Sequence, residues 1–163
     1  TTVDFPLVVD ADGINALSRH MDILDGRRDC PTVVTPHDGE FARMGGDLSD
    51  GDRLGAARRF AVEHGCLLVL KGHRTIIALP NGECFVNTTG NSGMAKGGSG
   101  DVLAGLCAGL AAQGMELFSA AALACWLHGE AGALARLALG PRAMLPRDVL
   151  AALPQAFLSL EQV

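Results

Sequence analysis

Short apolar runs alternate with helical segments over residues 6–70, and this alternation constrains the fold more than any other feature. The runs cover residues 6–9, 32–34 and 66–70, and polar residues or a proline close each of them. Buried strands of a parallel sheet have this continuous apolar character, and strands that alternate with helices build α/β layers. The sequence therefore predicts an α/β domain with a largely parallel sheet.

Turn chemistry and periodicity predict the remaining elements. An Asn-Gly pair at Asn81-Gly82 separates the apolar runs 75–79 and 84–86, which is a strong hairpin signal. Helices are predicted over residues 13–20, 38–44 and 52–64, the last capped by Asp50 or Asp52 and ended by Gly65. From Asp101 onward the pattern is helical throughout, over residues 101–113, 116–139 and 146–160, with Pro154 expected to interrupt the last helix.

Length and composition predict one domain over residues 1–163 and exclude some partners. Hydrophobic residues make up 48% of the chain, and the formal net charge of −5 argues against nucleic acid or an anionic membrane as a partner. The longest apolar runs, 102–112 and 120–127, are shorter than the roughly 20 residues that span a bilayer. No secretory signal is visible, and five scattered cysteines without a C-x-x-C pair predict free thiols, no zinc site and a reducing, cytoplasmic location.

A polar, glycine-dense stretch, residues 87–100, switches directly into an apolar helix. The backbone N–H groups of residues 97–100 can point at an anion, and the positive end of the helix dipole lies at the same place. Asp101 falls in the first turn of that helix, where a carboxylate would only repel a bound phosphate. The aspartate makes chemical sense if it accepts a proton from a hydroxyl that attacks phosphorus.

This stretch fits neither of two familiar phosphate-binding motifs. A Walker A loop has its lysine after the glycines, whereas Lys96 precedes them, and a dinucleotide fingerprint needs a third glycine that is missing after Gly100. The alternative interpretation is a glycine-rich connection in which Asp101 only caps the helix and Lys96 lies in solvent.

A polar cluster follows each of the three predicted parallel strands, at the edge where open α/β sheets build their sites. Asp10, Asp12 and Asn15 follow the first strand. These carboxylates and the amide could position a substrate or hold magnesium through water, or they could simply cap the strand end.

The second and third strands end in a histidine turn and a basic loop. His37 lies in a turn that Pro36 stiffens, and we predict a role for it in the site because loops at strand ends carry function. Lys71 and Arg74 lie after the third strand and suit phosphate neutralisation, although a positively charged hairpin entry is the alternative.

Four segments in this order and spacing, VVDADGIN, TPHDGE, LVLKG and NTTGNSGMAKGGSGDVLAGL, resemble the ADP/ATP-dependent NAD(P)H-hydrate dehydratase family of the ribokinase-like superfamily. The resemblance runs from Leu7 to Pro154. It implies a three-layer α/β/α domain, mostly parallel with one hairpin. Because family domains carry roughly another hundred residues before the DAD strand, the chain would be the C-terminal portion of that domain.

The resemblance implies a nucleotide-driven dehydration that restores NADH or NADPH from its hydrated form. ADP or ATP would be the co-substrate, giving AMP or ADP and phosphate, and Mg²⁺ is expected with the nucleotide although no metal motif is visible. His37 and Asp101 would contact the hydrated cofactor, with Asp101 as the catalytic base, and Asp10 and Asn15 complete the expected substrate site. The chain would pair with the missing segment or form a homo-oligomer, and whether it acts alone is left open.

The resemblance also implies two segments that contact the adenine nucleotide. They are Lys71, Gly72, His73, Arg74 and Thr75, and Asn91, Ser92, Gly93, Met94, Ala95, Lys96, Gly97, Gly98, Ser99 and Gly100. Three positions depart from the family. Asp38 and Ser92 replace common prolines, so the turn at Asp38 is expected to be less rigid. Lys96 replaces a small hydroxyl residue, where it could add a phosphate contact or lie in solvent.

Two other functions stay open. One is a kinase of the same superfamily that phosphorylates a hydroxymethyl group of a vitamin precursor or sugar, and it would share Asp101 and the glycine-rich loop. The TPHDGE segment favours the dehydratase. The other is a nucleotide-binding module without catalysis.

Overall fold

The computed structural model describes residues 3–160. Its elements are β1 (Leu7–Val9), α1 (Asp12–Leu17), α2 (Met21–Asp25), β2 (Thr32–Val34), α3 (Asp38–Arg43), α4 (Arg53–His64), β3 (Leu67–Leu70), β4 (Ile76–Ala78), β5 (Cys84–Val86), a 3₁₀ turn (Ser92–Met94), α5 (Ser99–Ala112), α6 (Leu117–Ala143) and α7 (Pro146–Leu160).

The five strands form one mixed sheet in the order β1-β2-β3-β4-β5. β1, β2 and β3 are parallel, with Val8 opposite Val33 and Val34 opposite Leu68. β4 and β5 add two antiparallel pairings. The predicted hairpin joins β4 and β5. The connection between β3 and β4 is a second hairpin that was not predicted, because its loop, residues 71–75, has no Asn-Gly signal.

Alternating side chains of the sheet face two separate hydrophobic cores, which gives three layers. Leu67 and Val69 of β3 pack with α5, α6 and α7, whereas Leu68 and Leu70 pack with α1 to α4. Strand side chains point alternately to opposite faces, so four consecutive apolar residues serve both cores. The predicted α/β/α layering is confirmed.

Several element boundaries differ from the predictions. The short helix α2 was missed, and α5 begins at Ser99 instead of Asp101. Pro154 does not interrupt α7. The carbonyl that proline leaves unpaired is that of Leu150, four residues earlier on the solvent side, where water can bond to it. α6 is regular up to a break at Gly140, whose φ of 76° and ψ of 158° are not helical.

α6 is the central helix of its core. Within the described residues it is the one helix long and apolar enough to cross a membrane by length and composition, which the shorter apolar runs did not suggest, and half of its most apolar window is buried. It packs against α5, α7 and β2. These contacts account for its apolar character.

One edge of the molecule is incompletely covered within residues 3–160. β1 ends the sheet there and is only half-buried, although a buried strand was predicted. Beside it, α5 and α7 enclose an apolar groove of about 510 Å³ lined in part by Gly105, Gly109 and Phe157. A Cβ added at either glycine would meet nothing within 4 Å, so these two small residues do not serve close packing of helices.

Candidate functional site

The carboxyl ends of the three parallel strands bring Asp10, Thr35 and Lys71 into contact. Lys71 Nζ donates to Asp10 Oδ1 at 2.7 Å, and Thr35 Oγ1 donates to the same oxygen at 2.8 Å. The backbone closes the same edge, because Lys71 N donates to the carbonyl of Pro36 at 2.8 Å. The predicted convergence of the strand-end clusters is therefore seen for these residues.

The His37 turn is a helix cap that fixes the orientation of the imidazole. His37 Nδ1 accepts from the N–H groups of Gly39 and Glu40 at 3.0 and 3.1 Å, and Glu40 Oε2 accepts from His37 N at 2.8 Å. This reciprocal arrangement is a capping box at the start of α3. Since Nδ1 accepts two hydrogen bonds, the ring proton lies on Nε2, and the side chain is 56% exposed.

Glu40, whose carboxylate completes the capping box, also links this turn to the strand-end cluster. Glu40 is 6% exposed, and its Oε2 lies 3.7 Å from Lys71 Nζ. The lysine ammonium therefore lies between two carboxylates, those of Asp10 and Glu40. A buried carboxylate needs such a partner, because an unpaired charge is costly away from water.

The N-terminus of α5 approaches the same cluster. A Cβ at Gly100 would lie 3.3 Å from Lys71 Nζ and 3.7 Å from Asp10 Oδ2. Gly98 has a φ of +92°, a conformation that favours glycine, and it lets the loop turn into the helix. Asp101 follows in the first turn with an exposed side chain, at one end of the groove between α5 and α7.

Within the glycine-rich loop, two polar side chains bind α6 and the chain that follows it. Asn91 Oδ1 accepts from Gly93 N at 2.9 Å, while Asn91 Nδ2 donates to the carbonyl of Gly132 at 2.8 Å. Lys96 Nζ donates to the carbonyls of Arg142 and Met144. Lys96 therefore does not lie free in solvent, and its predicted contact with phosphate stays a prediction. Ser92, Ala95 and Gly97 are exposed.

Two glycines of α6 allow the loop to lie against the helix. A Cβ at Gly129 would come within 2.0 Å of Thr89 Oγ1 and 2.7 Å of its backbone, and one at Gly132 within 2.2 Å of Met94 Sδ. The small size of these two residues makes room for the loop.

His128 supports the first residue of α5 through a hydrogen bond. Its Nε2 lies 3.3 Å from the hydroxyl of Ser99, which is 8% exposed. Burial lowers the pKa of His128 to about 4, so the ring is neutral at neutral pH. A neutral imidazole can stay beneath the loop without a counterion.

The other predicted residues lie apart from the cluster. The amide of Asn15 lies within α1, 3.5 Å from Asp12 Oδ1. His73 and Arg74 are exposed in the β3–β4 loop, where Thr75 Oγ1 donates to the carbonyl of Gly72. The role of Asn15 in substrate binding and the role of residues 72–75 in nucleotide binding stay predictions.

Two positions of the backbone near this edge are strained. Ala11, directly after Asp10, has a φ of +47°, and Arg74 has a φ of +59°. Left-handed conformations are uncommon for such residues and occur often at functional sites.

Arg53 is a site residue that sequence reasoning missed. Its Nη2 donates to Asp38 Oδ1 at 2.6 Å and to the carbonyl of Lys71 at 3.0 Å. Arg53 lies at the start of a surface helix, 15 and 18 residues away from these partners, and no sequence signal pointed to them.

The donor set does not form a dedicated metal site. Among residues 3–160, no group of three or more His, Cys, Asp or Glu side chains could hold an ion.

The buried thiols are not nucleophile candidates, because burial raises the pKa of Cys107 to about 11 and that of Cys125 to about 12.

Comparison with known proteins gives a consistent result. A family model described as NAD(P)H-hydrate dehydratase matches residues 1–155. The bifunctional NAD(P)H-hydrate repair enzyme Nnr of Moorella thermoacetica is 48% identical over 163 residues, which cover 98% of this chain and 31% of that protein. The ADP-dependent (S)-NAD(P)H-hydrate dehydratase of Neisseria meningitidis is 43% identical over 132 residues, 78% of this chain and 45% of that one.

Solved structures agree with the sequence matches. The ADP/ATP-dependent NAD(P)H-hydrate dehydratase of Bacillus subtilis, co-crystallised with ATP and Mg²⁺ and soaked with CoA, superposes with a TM-score of 0.83 at 33% identity. That match covers 97% of this chain and 57% of the Bacillus chain. A ribokinase-like superfamily protein from Enterococcus faecalis superposes with a TM-score of 0.75 at 34% identity, covering 93% and 52% of the two chains. The chain thus spans about a third to a little over half of the proteins it matches.

Proposed function

The chain belongs to the NAD(P)H-hydrate dehydratase family and has its ribokinase-like fold. We propose that it forms the nucleotide-binding and catalytic part of an enzyme that restores NADH or NADPH from its hydrated form, driven by an adenine nucleotide. The observation that carries this proposal is the exposed Asp101 carboxylate in the first turn of α5, directly after the glycine-rich loop and after Gly100, which lies beside the Asp10–Lys71 pair.

In the proposed reaction Asp101 accepts the proton of the hydroxyl on the hydrated nicotinamide ring. The hydroxyl oxygen forms a bond to the terminal phosphorus of the nucleotide, and the bond from that phosphorus to its bridging oxygen breaks, which leaves AMP from ADP or ADP from ATP. The phosphate ester then loses phosphate from the ring carbon, a proton leaves the neighbouring carbon, and the ring double bond re-forms. Proton acceptance by a positioned carboxylate contributes about 10² to 10⁴ in rate.

The loop supplies the anion contacts. Ser99 N donates to the carbonyl of Lys96 at 3.2 Å. The N–H groups of Gly97, Gly98 and Gly100 and the dipole of α5 would stabilise the transferring phosphoryl group. The side chain of His37 is 56% exposed, and its Nε2, which lies 3.5 Å from Glu40 Oε1, would donate to the hydrated cofactor. The nucleotide would lie along residues 71–75 and 91–100. Asp10 would act through Lys71, whereas Asn15 reaches the substrate only if the substrate extends over α1.

We propose ADP or ATP as the co-substrate, since the Neisseria relative is named as ADP-dependent and the Bacillus structure was crystallised with ATP and Mg²⁺. Magnesium fits as an ion carried by the nucleotide, because Mg²⁺ keeps several waters and binds substrate phosphates with few protein carboxylates. It would neutralise charge on those phosphates, and Asp10 Oδ2 is a carboxylate oxygen close to the loop.

We also propose that the chain works together with further sequence or with other copies of itself. The half-buried β1 edge and the groove between α5 and α7 support this view. The free cysteines at positions 30, 66, 84, 107 and 125 support a reducing, cytoplasmic location.

The test is recovery of NADH absorbance from hydrated NADH with ADP or ATP and Mg²⁺. The chain and a longer family protein that contains it are assayed together, each with and without Asp101→Asn. Recovery that collapses in the variant supports the proposal. A stable phosphorylated product without NADH would favour a small-metabolite kinase, and nucleotide binding without either product would favour a non-catalytic module.

A further inference from the structure

We propose that Arg53 is a positioning residue that joins the His37 turn to the Lys71 loop. This inference rests on the proposed function, in which His37 faces the hydrated cofactor and the Lys71 loop faces the nucleotide. One guanidinium nitrogen makes both connections. Arg53 Nη2 donates to Asp38 Oδ1 at 2.6 Å and to the carbonyl of Lys71 at 3.0 Å.

The guanidinium is packed closely against the backbone of the loop. A Cβ at Gly72 would lie 2.8 Å from Arg53 Nη2 and 3.4 Å from Cζ. Gly72 also has a φ of +154°, so a side chain is disfavoured there for two reasons. The arginine therefore fixes the course of the chain directly after Lys71.

Stability alone does not explain this arrangement. The side chain of Asp38 is 56% exposed, and ion pairs with such exposure contribute little to folding. Arg53 Nε is buried without a hydrogen-bond partner among the described residues, which is unfavourable. The contacts do, however, fix two site segments relative to each other, and that is the role we assign to them.

Asp38 transmits the position of Arg53 to the imidazole. It is the first residue of α3, directly after His37, and the ring of His37 is held by the next two N–H groups of that helix. A displaced Asp38 would move these N–H groups and loosen the ring. Arg53 thus acts on His37 through the start of α3, without touching substrate itself.

A proline at position 38 offers a matched way to stiffen the turn without Arg53. The N–H of a first helical residue has no intrahelical partner, so proline is well tolerated there. The residue before a proline must be extended, and His37 already has φ −81° and ψ 171°. In a protein that lacks Arg53, Asp38→Pro should therefore stiffen the His37 turn in place of the Arg53–Asp38 contact. It should not make up for the lost contact between Arg53 and the Lys71 loop.

The first experiment measures amide hydrogen exchange of the full chain without substrate. In Arg53→Ala we expect exchange at Gly39, Glu40 and Lys71 to rise about fivefold, the effect of losing one partly exposed charged contact. In the Asp38→Pro/Arg53→Ala double variant, the rates at Gly39 and Glu40 return to wild-type values while the rate at Lys71 stays raised. Arg59→Ala is the control, since Arg59 lies on the same helix and pairs with exposed Asp50 at 3.5 Å.

The ring of His37 gives a spectroscopic readout of position. Long-range ¹H–¹⁵N correlation spectra of the wild type should show the Nε2–H tautomer at His37, because Nδ1 accepts two N–H groups. Arg53→Ala should shift this signal toward a mixture of tautomers, and the double variant should restore it. Asp38→Ala, which keeps the Arg53–Lys71 contact, should change the His37 signal and leave the exchange of Lys71 unchanged.

Kinetics of the active enzyme separate positioning from folding. Arg53→Ala should raise KM for both the hydrated cofactor and the nucleotide, and the double variant should recover only KM for the cofactor. Wild-type exchange rates and an unchanged His37 signal in a folded Arg53→Ala protein would overturn the inference. So would exchange that rises equally in β3 and α4, which would mark a general loss of stability. The substrate-free measurements remain decisive even if the dehydratase assay fails.

Discussion

Lys71 Nζ lies 2.7 Å from Asp10 Oδ1, and this contact joins the ends of β1 and β3 across 61 residues of sequence. Both side chains are largely buried, with 19% and 13% exposure. The lysine that the sequence assigned to phosphate neutralisation is thus already paired with a carboxylate. If the proposed phosphate site lies at this edge, the backbone N–H groups and the dipole of α5 would supply most of its contacts.

Removing either partner of this pair should destabilise the fold, and removing both should cost less than the sum. Lys71→Met leaves the carboxylates of Asp10 and Glu40 without a cation, and we expect a loss of about 2 kcal/mol in unfolding free energy. Asp10→Asn should lower the unfolding free energy by about 1 kcal/mol. The loss is smaller because Thr35 can still donate to the side chain at position 10 and Glu40 still faces Lys71. Urea unfolding of the single and double variants measures the coupling. Strict additivity would show that the pair contributes nothing.

The buried His128 should make stability depend on pH in a defined window. Its pKa is lowered to about 4 in the folded state from 6.5, so the unfolded chain binds more protons between these values. Titration of His128 therefore leaves the unfolding free energy unchanged above about pH 6.5. As the pH is lowered toward 4, the unfolding free energy falls, by at most about 3 kcal/mol. His128→Gln should flatten this part of the profile in urea unfolding at about pH 7 and about pH 5. An unchanged slope in the variant would contradict the assignment to His128.

Two glycine-to-alanine changes should have opposite signs. Gly129→Ala places a Cβ 2.7 Å from the backbone of Thr89, and we expect a loss of about 2 kcal/mol. Gly105 lies at an exposed position of α5, and a Cβ there meets nothing within 4 Å. Gly105→Ala should therefore stabilise the protein by about 0.5–1 kcal/mol, because alanine has the higher helix propensity. Thermal or urea unfolding of both variants checks the pair. A tolerated Gly129→Ala would mean that the loop does not lie against α6.

Lys96→Met tests whether this lysine holds the loop or contacts phosphate. Its ammonium donates to the carbonyls of Arg142 and Met144, so its loss should lower stability by about 1 kcal/mol. Calorimetric titration with ADP should show an affinity within about threefold of the wild type. A loss of affinity of tenfold or more that weakens at high salt would instead indicate a direct phosphate contact.

The sequence predicted the parts of the site that follow from local pattern. The clusters at Asp10, His37 and Lys71 were placed on one edge because parallel strands end together, and the layered fold and the family are confirmed. Whether residues 71–75 and 91–100 bind the nucleotide stays a prediction. Short helix α2 was missed because five residues carry too little periodicity to signal a helix.

The remaining features depend on contacts between distant residues. Arg53 reaches Lys71 from the start of a surface helix, Glu40 reaches it from α3, and Lys96 reaches the end of α6. Which residues come into contact depends on how the helices and strands pack. Neither the spacing nor the composition of the sequence indicates this packing. The same holds for Gly129, whose small size serves a loop rather than a helix.

The strand-end cluster and the first turn of α5 also bear on how such a site can be inherited. Asp10, His37, Lys71 and Asp101 lie within one stretch of 92 residues, and helices α6 and α7 follow it directly. Recombination that keeps residues 7–160 together would therefore move all four side chains and their supporting helices as a single segment. In directed evolution, a library confined to residues 10–101 would vary every member of the cluster while leaving α6 and α7 unchanged.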